Sequence, residues 1–104
     1  MTTHKKIRIH PGEILKEEFL VPLGISANRL ATSLDVPANR ISSIINGERS
    51  ITGETALLLG RTFKTTPEFW MNLQTHYDLE IAKDEVPAAR VHRADKLAKE
   101  LCLA

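Results

Sequence analysis

Asn39, Arg40, Ser42, Ser43 and Asn46 offer hydrogen-bond donors and acceptors suited to the edges of nucleotide bases. An asparagine amide pairs bidentately with adenine, an arginine with guanine or phosphate, and a serine hydroxyl with several edges. No carboxylate interrupts the run from Asn39 to Gly47, as a surface approaching a polyanion requires. Ile41, Ile44 and Ile45 are interleaved with these polar residues at the spacing of one helical stripe. Turning the three isoleucines inward leaves the polar residues facing outward. The alternative is an ordinary solvated face on a small bundle.

Such an edge needs a scaffold, and the preceding residues supply one. Ser26 to Leu34 form a second periodic segment, with Leu30, Ala31 and Leu34 on its buried stripe. Ser26 is a suitable N-cap, its hydroxyl accepting from an otherwise orphaned backbone N–H. Asp35-Val36-Pro37 joins the two segments. So short a turn makes the helices cross rather than run antiparallel, which is the helix-turn-helix arrangement that presents its second helix to a DNA major groove. That second helix is predicted from Pro37 or Ala38 to Asn46-Gly47, a pair that tolerates left-handed backbone.

The remaining elements are helical too. A first helix is predicted from about Pro11 to Leu20, with Pro11 in its first turn, Glu13 on the dipole and Ile14, Leu15 and Phe19 inward, Leu20 being a further candidate for that face. Pro22 and Gly24 are expected to stop it. Thr52 caps a fourth helix, with Glu54 in its first turn and Ala56, Leu57, Leu59 and Phe63 in the core. Thr66-Pro67-Glu68 opens a fifth, whose stripe is Phe69, Trp70, Leu73, Tyr77 and Ile81. Trp70 points about 100° away from its neighbour Phe69; a core role leads for both, and an interface role for Trp70 is second. Beyond Pro87, Val91, Ala94, Ala98 and Leu101 recur at helical steps, either packing back on the domain, pairing with a second subunit, or staying partly disordered, since a short isolated helix is marginal in water. The organisation read from this is an arm at 1–10, a helix-turn-helix domain at 11–82 and a C-terminal helix or tail at 83–104.

Composition narrows the function classes. The 104 residues are 42% hydrophobic and 26% charged, with a net charge of +1, which suits one folded domain rather than a disordered chain. With so little net charge, a nucleic-acid binder must segregate what it has. Lys5, Lys6 and Arg8 lie on the arm and Arg29, Arg40 and Arg49 around the helix-turn-helix, while acid collects at Glu13, Glu17, Glu18 and again at Glu80, Asp84 and Glu85. A single cysteine, Cys102, excludes an internal disulfide and is expected to be a small buried hydrophobe. No apolar run reaches the ~20 residues of a membrane span, and no signal-peptide pattern opens the chain. A cytoplasmic protein with no membrane partner is expected.

The residues that line up with a known family run through most of the chain. His10-Pro11-Gly12-Glu13-Ile14-Leu15-Lys16-Glu17-Glu18-Phe19-Leu20 and Pro22-Leu23-Gly24-Ile25-Ser26 resemble the opening of HigA-like (VapI-like) antitoxins of the Xre/Cro superfamily. The likeness continues through Val36-Pro37, Asn39-Arg40-Ile41, Asn46-Gly47, Arg49, Ile51-Thr52, Thr55-Ala56-Leu57 and Pro67 to Gln74. It implies an all-α fold: a five-helix Xre/lambda-repressor-like domain, here with an additional C-terminal helix or tail. It also implies a homodimer on a palindromic double-stranded DNA operator, beside a HigB-like ribonuclease toxin that such proteins neutralise. By the family's pattern Ala38, Asn39, Arg40 and Ser43 reach base edges, and Ser26, Asn46 and Arg49 bind phosphates. Asp35 departs from the pattern, standing where the turn usually has glycine and a positive φ is needed. Ala27 departs as well, where relatives often carry a phosphate-contacting glutamine.

Other chemistry finds little support. His4, His10, His76 and His92 share no metal-ligand spacing, and His10-Pro11-Gly12 is better read as shaping the entry to the first helix. Adjacent acids such as Glu17-Glu18 point to different sides of a helix. No nucleophile triad, phosphate loop or nucleotide motif is present, so neither an enzyme nor a cofactor is expected. The leading function is a DNA-binding repressor acting as the antitoxin of a type II pair. The alternatives are a stand-alone regulator without a toxin and a protein-sequestering module with a vestigial DNA surface.

Overall fold

Six helices follow one another in the computed structural model, which describes residues 8–103. Lys5 and Lys6 of the expected basic arm lie outside the described residues. No strand occurs among those described.

The first helix, α1, is one continuous rod in three pieces: α-helical over Pro11–Ile14, π-helical over Leu15–Leu20 and α-helical again over Val21–Leu23. His10 caps it, its imidazole Nδ1 accepting from the Gly12 N–H at 2.9 Å. The helix therefore runs past the stop expected at Leu20. Its widened stretch carries the Val21 N–H to the Lys16 carbonyl, five residues back. Pro22, which has no N–H to offer, is accommodated in the final turn. Gly24 ends the rod alone, with φ +66°.

The helices that follow begin at capping residues visible in the sequence. α2 (Ala27–Leu34) starts from Ser26, whose Oγ accepts from the Arg29 N–H at 3.0 Å. It ends at Asp35, which holds φ 56° and ψ 46°. The Val36 N–H then reaches back to the Ala31 carbonyl at 3.0 Å and the Asp35 N–H to Thr32 at 3.2 Å, the paired bonds of a Schellman end. Aspartate thus occupies the left-handed position the turn demands. α3 (Ala38–Ile45) follows from Pro37 and ends on Gly47, at φ +77°. α4 (Gly53–Phe63) is capped by Thr52, and α5 (Pro67–Glu85) by Thr66, whose Oγ1 accepts from the Phe69 N–H at 3.1 Å. α5 runs past the domain boundary expected at residue 82. After Pro87 comes α6 (Ala88–Glu100), which buries none of its residues.

The core draws on every helix but the last. Leu15 and Leu20 of α1, Leu30 and Ala31 of α2, Ile41 and Ile44 of α3, Ala56 and Leu59 of α4 and Trp70 of α5 are buried together with Ile51. Trp70 is 0% exposed and donates its indole N–H to Thr65 Oγ1 at 2.8 Å. Its ring lies 5.2 Å from Phe19 and 5.1 Å from Phe69, centroid to centroid, within the range in which aromatic pairs attract. The interface role weighed for Trp70 is closed by this burial; Phe69 is the partly exposed member of the pair. Two further expectations are corrected. Leu57 is 52% exposed, because it lies one residue off the stripe of Ala56 and Leu59. Cys102 is exposed at φ 58°, since the chain leaves α6 there and no element covers it.

Candidate nucleic-acid interface

α3 is fixed from three sides before any of its outward residues comes into play. Underneath, Ile41 and Ile44 are buried and Ile45 is packed against the core. At its C-terminal end it meets the start of α1 so closely that a Cβ added to Gly12 would stand 1.8 Å from the Ile44 carbonyl oxygen. No side chain fits between two backbones at that separation, so glycine is required for the approach. On the third side, Arg40 Nη1 lies 3.6 Å from Glu54 Oε1 in the first turn of α4.

The expected site residues fall into two groups around this rod. Asn39 and Asn46 are exposed, and Ser42 and Ser43 half-buried, along the edge away from the isoleucines, while Ala38 is exposed in the first turn of α3, on the stripe of Ile41 and Ile45. Ser42 Oγ donates to the Asn39 carbonyl at 3.3 Å, so its hydroxyl is engaged by its own helix. Arg40 does not share this edge. At 100° per residue it lies between the outward edge and Ile44, its side chain is only 21% exposed, and Nε is buried without a hydrogen-bond partner among the described residues. The expectation that all five polar residues face outward is therefore corrected for Arg40, which turns toward α4. Ser26 sits at the exposed N-terminus of α2, and Arg49 is exposed in the loop between α3 and α4.

That loop is held by residues that the sequence pattern does not assign to the site. Gln74 of α5 is 3% exposed. Its Oε1 accepts from the Ile51 N–H at 2.7 Å and its Nε2 donates to Asp78 Oδ1 at 2.9 Å. A signal exists in the sequence: Gln74 is a polar residue one turn after Trp70 on the stripe of a helix that must bury its apolar face. His10 lies against the same loop, its ring carbons 3.9 Å from where a Cβ on Gly47 would stand, and meets Tyr77 of α5 edge-on at 4.9 Å. Burial pushes the His10 imidazole below its ordinary pKa, with Asp78 and the Arg49 backbone opposing the shift. The neutral ring is the form this arrangement needs, because Nδ1 must accept from Gly12. Arg8 pairs with Asp84 near the end of α5. Among the described residues no cluster of metal-ligating side chains occurs.

A helix-turn-helix family model matches residues 15–70, which hold most of the core and all of α3. The antitoxin HigA of Pseudomonas aeruginosa, solved with the higBA promoter, superimposes with a TM-score of 0.72 at 46% identity, covering 73% of this chain and 83% of that one. This chain belongs to the HigA-like helix-turn-helix family. A Pseudomonas aeruginosa protein solved in complex with its 18-bp operator DNA gives a TM-score of 0.79 at 40% identity over 86% of the HigA-like chain and 96% of its own. Among sequence relatives, the virulence-associated protein I of Dichelobacter nodosus is 49% identical over 77 residues, 74% of this chain and 71% of its own length. All three likenesses span most of the chain. The all-helical fold agrees with them.

Proposed function

We propose that this HigA-like chain is a sequence-specific DNA-binding repressor and the antitoxin of a type II toxin–antitoxin pair. The observation that carries the reading is the outward edge of α3, free of carboxylates and seated rigidly on two buried isoleucines, in a fold whose solved relatives hold operator DNA. Asn39, Ser43 and Ala38 are the base readers, with Arg40 reaching a base from the border of that edge, while Ser26, Asn46 and Arg49 hold phosphates and set the register. Two copies place their α3 helices in successive major grooves about 34 Å apart, on a palindromic operator. Repression follows from occupying the promoter, with no chemistry on the DNA and no cofactor.

The dimer reading is supported by α6. Its apolar residues Val91 and Leu97, with Leu101 at its C-terminal end, are exposed, and an isolated helix of this length is marginal in water. A second copy would cover that face. No helix among the described residues is long and apolar enough to cross a membrane, and a DNA ligand accords with residence in the cytoplasm. The organisation that follows is a DNA-binding domain that runs from Pro11 to the end of α5 at Glu85, flanked by an arm and a dimerising C-terminal segment.

The test is a gel shift with the promoter upstream of the chain's own gene and a scrambled duplex of equal length. Retarded promoter at concentrations that leave the scrambled duplex free is expected. Equal retardation of both would refute sequence-specific repression. Co-expression with the protein encoded next to this gene tests the second half of the reading: a ribonuclease silenced in a stable complex makes the chain an antitoxin. A neighbour with no such activity leaves a stand-alone regulator.

A further inference from the structure

We infer that Glu54 is a positioning residue for base discrimination: it fixes the Arg40 guanidinium in an orientation that suits one base edge and denies the same charge to arbitrary phosphates. This rests on the DNA-binding reading above. Arg40 sits in the seam between α3 and α4, with its side chain 21% exposed and Nε enclosed without a partner among the described residues. The stem of the side chain is thus set by packing. Glu54 Oε1, 3.6 Å from Nη1, is an ion-pair contact rather than a hydrogen bond; its charge biases the guanidinium toward that side, and Nη2 is left as the donor for a nucleic-acid acceptor.

Glu54 itself is 70% exposed, so the pair is screened and adds little to fold stability. Its effect falls on Arg40. A long, flexible cation near DNA ordinarily finds a phosphate on any sequence, and such contacts strengthen cognate and random binding alike. To do so here Arg40 must abandon Glu54. A base acceptor lying opposite Nη2 is met with the pair intact and with little rotamer freedom left to lose. The carboxylate thus favours the cognate sequence.

The experiment compares the full-length protein with Glu54→Gln on the promoter duplex and the scrambled duplex across a salt series. In Glu54→Gln, scrambled-duplex affinity rises and the promoter-to-scrambled ratio falls about fivefold, the upper worth of an exposed ion pair. The scrambled-duplex salt dependence steepens by about 0.9 in log–log slope, one added phosphate contact. In an Arg40→Ala background the same substitution leaves the ratio unchanged. Direct repulsion between Glu54 and phosphate would move both duplexes equally. An unchanged ratio in Glu54→Gln, or a fall of the same size without Arg40, overturns the assignment. A wild-type protein that does not separate the duplexes overturns this inference and the repressor reading together.

Discussion

Replacing Gln74 with leucine leaves an apolar side chain of similar size in an enclosed place and removes the amide. The Ile51 N–H then loses its 2.7 Å acceptor in a place water does not reach, since both residues are about as buried as the core itself. An orphaned buried donor costs about 1–3 kcal/mol. Asp78 also loses a partner, but it is exposed and resolvates, adding little. The shorter leucine recovers little of this as apolar burial, so a net destabilisation of about 2 kcal/mol is expected. For a domain of this size that lowers the melting temperature by about 10 °C. The same change frees the segment carrying Asn46 and Arg49, so binding to promoter and scrambled DNA should weaken together. Thermal melts followed by circular dichroism read the first effect, and fluorescence anisotropy with both duplexes the second. A melting temperature within ~2 °C of wild type, where the hydrogen-bond argument requires several times that, would refute the idea that Gln74 holds the loop.

Further outcomes follow from other residues. Asn39→Ala should weaken promoter binding by ~1–3 kcal/mol and relax preference at one base position; equal losses on promoter and scrambled duplexes would remove its base-reading role. Arg49→Ala should weaken binding to all sequences and flatten the salt dependence by about 0.9 in log–log slope, read from the same titrations. His10 is held below its ordinary pKa, so the folded state binds fewer protons than the unfolded one. Its stabilising contribution is complete above the ordinary histidine value of about 6.5 and is lost as pH falls through the lower folded value. Urea unfolding of wild type against His10→Asn, which keeps a cap acceptor, should show that acid-side loss only in wild type. Truncation before Pro87 should leave the domain folded and convert a dimer to a monomer by light scattering; an unchanged dimer would take α6 out of the interface.

Local chemistry makes much of this fold legible in the sequence. Ser26, Thr52 and Thr66 are caps because their hydroxyls suit the first turn, and each accepts the backbone N–H three residues on. Asp35 is marked by standing in a glycine's place, and its φ is left-handed. Local reasoning fails where the outcome depends on contacts distant in sequence. A proline normally signals a helix stop, yet the π turn ahead of Pro22 rearranges the bonding so that α1 passes through it. Arg40 reads as outward because it is charged, although a border position lets Glu54 of another helix draw it sideways. Leu57 reads as inward because it is apolar, and nothing packs over it. Gln74 escapes notice since its partner, Ile51, lies 23 residues away.

The contact between Gly12 and the Ile44 carbonyl sets how the domain can change over time. With no spare volume where the two rods touch, the tilt of the reading helix cannot drift by small steps, because any larger side chain at residue 12 pries the pair apart. New target preferences then arise by exchanging the base-facing residues 38, 39, 40 and 43 on an unaltered mount. A library restricted to those four positions should yield altered operators without loss of folding, whereas one that includes residue 12 should yield mostly unfolded clones.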